Sequence, residues 1–382
     1  MSSIFPKVDP DGLLEYSVVY TDRAVNHMSQ SLQQVMRDIS STLKKVYNAH
    51  SVAIVPGSGT FGMEAVARQF ATDKKCLVIR NGWFSYRWTQ IFEMGRIPSK
   101  EIVLMAQQTD ASATAPFAPP PIEDVLATIE KEKPDVVFAP HVETSSGMIL
   151  PNDYIQKVGE AIHAVGGLFI LDCIASGAIW VDMEKSVVDV LISAPQKGWS
   201  GSPCAALVMM SEAAQEKLED TVSTSFACDL VKWLWIMKAY ENGGHAYHAT
   251  MPTNALVTFS HVMADAQNIG FDILHQRQQK LGDRIRDLLA NNGIKSVAAD
   301  GFDAPGVVVS YTNNPGIQNG SQFVEQGIQI AAGVPLMCNE PEGFSTFRLG
   351  LFGLDKLNNI DRTVTVFGEA LDQILARTRI VG

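Results

Sequence analysis

Six short stretches of the chain, residues 52–55, 75–79, 136–139, 168–171, 188–192 and 205–209, are apolar at nearly every position. A strand wetted on one face alternates apolar with polar side chains. These do not, so the pattern predicts strands covered on both faces of a mostly parallel sheet. Between several of them lie segments such as 61–70 and 152–165, whose apolar residues recur with the period of helices buried along one side. Alternating strand and helix is the layering of an α/β fold. "ASATAPFAPPP" at 111–121 reads as an irregular loop and not as a linker, because the alternation resumes beyond it. Near residue 256 the texture changes. A long helical stretch over 264–292 leads to the strand candidate "GVVVSY" at 306–311, then to "FRLGLFG" and a closing amphipathic helix. The expected architecture is a large α/β domain over 16–255, its mostly parallel sheet flanked by helices. A smaller C-terminal α+β domain over 256–382 is expected to include residues 1–15.

Composition sharpens this mainly by exclusion. Of 382 residues, 46% are hydrophobic and 19% charged, the balance of a globular chain with a sizeable core. The net charge of −11 argues against nucleic acid or an anionic membrane surface as partner, since such surfaces select Lys and Arg. Five cysteines (Cys76, Cys173, Cys204, Cys228 and Cys338) are scattered without any CxxC. That spacing predicts neither a disulfide framework nor a zinc site and suits a reducing cytoplasm. The opening "MSSIFPKVDPDGLLEYS" carries charges and prolines where a secretion signal needs an apolar run. The apolar stretch 164–181 is interrupted by Asp172 and several glycines, so no membrane span is expected there.

Three places carry candidate chemistry. "VPGSGTFGMEAV" follows a strand candidate and opens a helix, and Gly57, Gly59 and Gly62 fit G-x-G-x-x-G. A nicotinamide dinucleotide site would also need an acidic residue about 20 positions on, and none occurs over 76–83. An NAD-dependent dehydrogenase is therefore a minor alternative. What remains is a cradle for one phosphate, built from helix-start N–H groups and the hydroxyls of Ser58 and Thr60, or else a plain N-cap. Next, "GGLFILDCIAS" sets Asp172 at the end of a buried strand, where parallel sheets hold ligands, though capping the next helix is the blander role. Finally, "VLISAPQKGWSGSPCAALVMM" holds Lys197 in a turn of small residues that would let another molecule approach closely. Cradle, carboxylate and amine have one joint explanation, pyridoxal phosphate. Lys197 would tether it as a Schiff base, and Asp172 would keep its ring nitrogen protonated, making the ring an electron sink.

The segments "PGSGTFGMEA", "NGWFSYRW", "PHVETSSG", "LDCIASGAIWVDM", "SAPQKGWSGSP", "YHATMPTNAL" and "FRLGLFG" occur in an order that resembles class V of the fold-type I pyridoxal phosphate enzymes. Within that class the chain is similar to the alanine–glyoxylate and serine–pyruvate aminotransferases. The resemblance implies that Ser58, Gly59 and Thr60 bind the cofactor phosphate with help from Gln196. It implies that Phe84 stacks on the ring, that Thr144 or Ser145 reaches its phenolic oxygen, and that Asp172 pairs with its nitrogen. Tyr247 and Thr250 would enter the active site of a neighbouring subunit, making a homodimer. Arg348 would fork onto the substrate's α-carboxylate. Lys197, once displaced by the amino donor, would move the α-proton. The implied activity is ping-pong transfer of an amino group from a small L-amino acid, of the alanine or serine class, to a 2-oxo acid of the glyoxylate or pyruvate class.

Other features have competing readings. Cys338, in "VPLMCNEPEG", lies where related cysteine desulfurases carry a nucleophilic cysteine, so a desulfurase or β-eliminating lyase is the main alternative. Against it, Gln196 precedes Lys197 where desulfurases usually have histidine. His245 and His248 have metal-compatible spacing but no carboxylate cluster, so no metal is expected. His141 and Glu143 read as hydrogen-bonding groups at a sheet end, and "VKWLWIMKAYE" as helix core. The N-terminal segment lacks the glycine- and proline-rich character usual in these aminotransferases, which leaves donor and acceptor open.

Overall fold

The computed structural model of the chain describes residues 9–381. Part of the 1–15 segment assigned above to the small domain therefore lies outside the described residues. The apolar runs form β1 (Ser51–Pro56), β2 (Lys75–Arg80), β3 (Lys100–Met105), β4 (Val136–Pro140), β5 (Leu168–Asp172), β6 (Val190–Ser193) and β7 (Ala205–Met210). They pair in the order β1-β7-β6-β5-β4-β2-β3. The pairs β3–β2, β2–β4, β4–β5 and β5–β6 are parallel, while β7 runs antiparallel to both β6 and β1. The sheet is mostly parallel, and its central strands are buried along their whole length, as their unbroken apolar sequences require.

Since β7 opposes both of its neighbours, β1 points the same way as β2 to β6. The chain therefore leaves β1, β2, β4, β5 and β6 at one common edge of the sheet, where doubly wound folds place their ligands. Helices α1 (Gln30–Tyr47), α2 (Gly59–Phe70), α3 (Trp83–Gly95) and α4 (Asn152–Ala164) cover the faces. Val66 and Ala67 of α2, and Trp88 and Phe92 of α3, are buried in the main core. Burying each large apolar side chain contributes about 1.5–3 kcal/mol.

The helical stretch expected over 264–292 is two helices, α5 (Thr253–Ile269) and α6 (Phe271–Asn291). Gly270, at φ +100°, makes the break, a conformation that side-chain-bearing residues resist. Leu256, Phe259 and Met263 of α5 belong to the core of the large sheet, whereas Leu281, Ile285 and Leu289 of α6 belong to a second core. That second core packs on an antiparallel sheet of order β8-β10-β9, made of β8 (Val307–Tyr311), β9 (Ala331–Ala332) and β10 (Thr346–Gly350). The closing helix α7 (Ile360–Val381) adds Phe367 and Leu371 to it.

Candidate active site

Lys197 stands in the turn after β6, held from behind by aromatic rings. Trp199 is buried, its ring 4.8 Å from Trp180 and 6.3 Å from Tyr47, and its Nε1–H donates to the Tyr47 hydroxyl at 3.2 Å. Gly198 must be glycine, because a Cβ there would sit 1.9 Å from the Gly177 carbonyl oxygen. The backbone closes on itself through Ser200 N–H to Lys197 O at 3.0 Å and Gly201 N–H to Pro195 O at 2.8 Å. The amine itself makes no hydrogen bond or ion pair with the described residues, and lies 5.3 Å from the centre of the Phe352 ring. Burial, then the positive charges of Arg348 and Arg87, lower its pKa from that of an ordinary lysine.

Asp172 ends β5 and is buried. Its Oδ1 accepts from Ile174 N–H at 2.9 Å, while Oδ2 has no partner among the described residues. Burial raises its pKa to about 7, opposed by the Ile174 bond and by Arg87 and assisted by Glu143. Beside it His141 is buried with Nδ1 2.7 Å from the Ser176 hydroxyl, and desolvation lowers its pKa to about 3, so the ring is neutral. His141 N–H donates to Asp172 O at 2.8 Å, the sheet-end role expected of it.

Glu143 does more than bond at a sheet end. It is wholly buried, and its carboxylate accepts from Phe84 N–H at 3.1 Å and from Ser85 N–H at 2.9 Å. It also takes the Ser85 hydroxyl at 2.7 Å, and Ser145 N–H and hydroxyl at 3.0 and 2.7 Å. Glu143 thus caps the start of α3 from another strand, satisfying N–H groups that no residue of the helix reaches. Gly82 is needed for this approach, since a Cβ there would lie 2.1 Å from Ser145 Oγ. Ser145 is consumed by the arrangement: its hydroxyl also accepts from Trp83 N–H at 2.8 Å. Of the pair left open by sequence, Thr144 is the half-buried one and has no hydrogen-bonded partner among the described residues.

Around these buried groups stands a second set, several of them half-exposed. Ser58 occupies the N-cap position of α2, yet its side chain makes no capping bond. Gly59 packs against Ile174, where a Cβ would come within 2.5 Å of Cδ1. Thr60 Oγ1 accepts from Arg87 Nη1 at 3.0 Å. Gln196 has a buried Oε1 with no partner among the described residues. The Phe84 ring lies 5.1 Å from the Arg87 guanidinium carbon and 5.5 Å from that of Arg348. Arg348, on β10, is held by Nε–H to Ala332 O at 2.8 Å, leaving its terminal nitrogens free among the described residues. Tyr247 and Thr250 are exposed and joined through their hydroxyls at 3.1 Å. Among the described residues no group of three His, Cys, Asp or Glu could hold a metal ion, and no helix is long and apolar enough to cross a membrane.

Residues 11–342 match the family described as aminotransferase class V. The chain belongs to that family. Members of the family use pyridoxal phosphate, and this chain is a pyridoxal phosphate-dependent aminotransferase. It is similar to the small subunit of a soluble hydrogenase from Synechococcus sp. (strain PCC 6716), 25% identical over 356 residues, which span 92% of this chain and 87% of that one. It is also similar to the alanine–glyoxylate aminotransferase of Rattus norvegicus, 24% identical over 361 residues, spanning 91% and 82%. Among solved structures, the ureidoglycine–glyoxylate aminotransferase of Bacillus subtilis shares the fold. Its TM-score is 0.77 at 21% identity, over 93% of this chain and 87% of that chain.

The residues present in this aminotransferase fit the cofactor. The uncommitted Ser58 hydroxyl, the orphaned Gln196 Oε1, the free Asp172 oxygen and the unpaired Lys197 amine are each left for something the polypeptide does not supply. Sequence reasoning missed Arg87 and underrated Glu143. Arg87 had a signal: in "NGWFSYRW" it stands three residues after Phe84, on the same face of a helix. Glu143 had none, because the α3 groups that it caps, Phe84 and Ser85, are distant in sequence.

Proposed function

We propose that this aminotransferase moves an amino group from a small L-amino acid, of the alanine or serine class, to a 2-oxo acid of the glyoxylate or pyruvate class, in two ping-pong halves. The observation that carries the reading is Lys197, half-buried, without a carboxylate partner among the described residues and close enough to Arg348 and Arg87 that burial and their charges hold its pKa below that of an ordinary lysine. Only a neutral amine attacks a carbonyl or accepts a proton. When bound, pyridoxal phosphate supplies an aldehyde for amines and a ring that withdraws electrons from the substrate's α-carbon.

In this reading Lys197 is first tether and then base, carrying the proton from the α-carbon of the donor. Asp172 holds a proton at the ring nitrogen through Oδ2, while Ile174 N–H fixes the carboxyl's orientation. Phe84 covers one ring face and excludes water, and Glu143 fixes its height by bonding its backbone. Thr144 takes the phenolic oxygen, since the Ser145 hydroxyl is spent. Ser58, Gly59, Thr60 and Gln196 hold the phosphate. Arg348 forks onto the α-carboxylate, which a planar guanidinium does better than an ammonium. Tyr247 and Thr250, exposed here, complete the site of a second copy in a homodimer. We place the boundary between the two domains near residue 255 and the protein in the cytoplasm, in keeping with its five free, buried cysteines.

The desulfurase alternative finds no support at Cys338. That thiol is buried, donates to Arg80 O at 3.4 Å, and has its pKa pushed up to about 12 by burial and by Glu143 and Glu340. The test is to mix the coloured enzyme with single amino acids in the absence of any oxo acid. Alanine or serine should discharge the colour, and glyoxylate or pyruvate should restore it. Sulfide release from cysteine that disappears in Cys338→Ser, with no colour change from any other amino acid, would overturn the reading.

A further inference from the structure

The groups assigned above to the cofactor phosphate, Ser58, Gly59, Thr60 and Gln196, are all neutral. The start of α2 adds only about half a positive charge. A phosphate carrying up to two negative charges, held partly out of water by such donors alone, leaves most of its charge uncompensated.

One cation stands at the cradle. Arg87 reaches from α3 to Thr60 Oγ1 of α2, with Nη1 donating at 3.0 Å. It forms no ion pair among the described residues, unlike Arg68, which is bound to Glu64 at 2.8 Å, and Arg286, bound to Asp303 at 2.9 Å. Its guanidinium carbon lies 5.1 Å from the centre of the Phe84 ring. A planar guanidinium can rest against a ring and still present N–H groups at its edge, which an ammonium does not do. Its charge is felt at both Asp172 and Lys197, which places it within electrostatic reach of both ends of the site.

We propose that Arg87 is the counter-charge of the cofactor phosphate, gripping it beside Thr60 while lying against Phe84, so that one side chain links anion binding to ring stacking. The inference rests on the pyridoxal phosphate reading of the site. It adds a residue that the resemblance did not supply, and it gives "NGWFSYRW" a second role besides the stacking ring.

The test compares two ligands differing only in the phosphate. Cofactor-free wild type, Arg87→Gln and Arg87→Lys are titrated with pyridoxal phosphate and with pyridoxal, following visible absorbance and tryptophan fluorescence. Loss of a charge-assisted, forked contact should weaken pyridoxal phosphate about 10- to 100-fold in Arg87→Gln and pyridoxal less than about 3-fold. Inorganic phosphate should raise the melting temperature of the cofactor-free wild type and leave that of Arg87→Gln unmoved. Arg87→Lys, which keeps the charge, should retain part of the preference, and carries the test should the glutamine variant fold poorly. Equal weakening of both ligands would make Arg87 a packing residue and overturn the proposal, as would an undiminished preference for the phosphorylated ligand in either variant. A wild type that binds neither ligand would sink the cofactor reading itself, and the proposal with it.

Discussion

Lys197 and Cys338 are the two candidate nucleophiles of the chain, and burial acts on both with opposite chemical results. Removing water disfavours whichever form is charged. For an amine the neutral form is the reactive one, so burial among Arg348 and Arg87 prepares Lys197 for chemistry. For a thiol the neutral form is the inert one, so burial beside Glu143 and Glu340 silences Cys338. Their loops differ in the same sense. The Lys197 turn is rich in small residues, Ser193, Ala194, Gly198, Ser200, Gly201 and Ser202, and its amine makes no hydrogen bond with the described residues. The Cys338 loop is wrapped around a carboxylate, with the N–H groups of Leu336, Met337 and Cys338 all donating to Glu340 at 2.7, 3.1 and 2.9 Å. Reactivity here follows from how each side chain is surrounded rather than from which residue is present.

The comparison breaks most sharply at the amine. Lys197→Ala should reduce turnover by more than about 10⁴-fold, because tether and base are lost together. Steady-state transamination with a coloured cofactor decides it, and a variant retaining a tenth of wild-type turnover would refute the assignment. A second cut is through the neighbouring cation. Arg348→Gln should raise KM for the amino donor about 10- to 100-fold. It should also let the pKa of Lys197 rise, so that the limb on which cofactor attachment increases with pH moves to higher pH.

Asp172 tests the same rule on a carboxyl. Its folded pKa, about 7, exceeds its unfolded value. Below about pH 4 both states hold the proton; between there and pH 7 only the folded state does, so stability falls as pH rises through that window. Above it the folded, cofactor-free chain carries a buried, unpaired carboxylate. Asp172→Asn should then stabilise the cofactor-free protein at pH 8, on the order of 2–4 kcal/mol, with the gain vanishing toward pH 4. Denaturant melts across that range measure it, and a pH-independent difference would show that the aspartate is already charged when folded. The smallest effect belongs to the thiol. Cys338→Ser should leave transamination within about threefold, and iodoacetamide should label Cys338 in the folded protein about 10²- to 10³-fold more slowly than in the unfolded chain.

What could be read from sequence divides along physical lines. β4, β5 and β6 announced themselves because strands buried on both faces leave no polar position. Asp172 and Lys197 then stood out as charges ending such runs. The break at Gly270 was readable in principle, but the helical periodicity on either side of it masked it. Glu143 was not readable as a cap, because its bonds to Phe84 and Ser85 join segments that only folding brings together. The same through-space capping ties up the Ser145 hydroxyl and leaves that of Thr144 without a partner among the described residues, a difference between adjacent hydroxyls that sequence could not show. Cys338 misled for a related reason: its place along the chain suggested chemistry, while its surroundings, unknowable from spacing, withhold it.

One small contact has a mechanical consequence. Ser200, three residues beyond the lysine and held at φ +62°, accepts a hydrogen bond on Oγ from Leu354 N–H at 2.9 Å. Leu354 lies four residues past the end of β10, the strand that carries Arg348, and two past Phe352, whose ring lies beneath the amine. On the proposed roles of Arg348 and Lys197, a shift of the C-terminal layer on drawing in a donor's carboxylate would pull on a stitch tied three residues from the amine, so that gripping the substrate and aiming the base would be one motion.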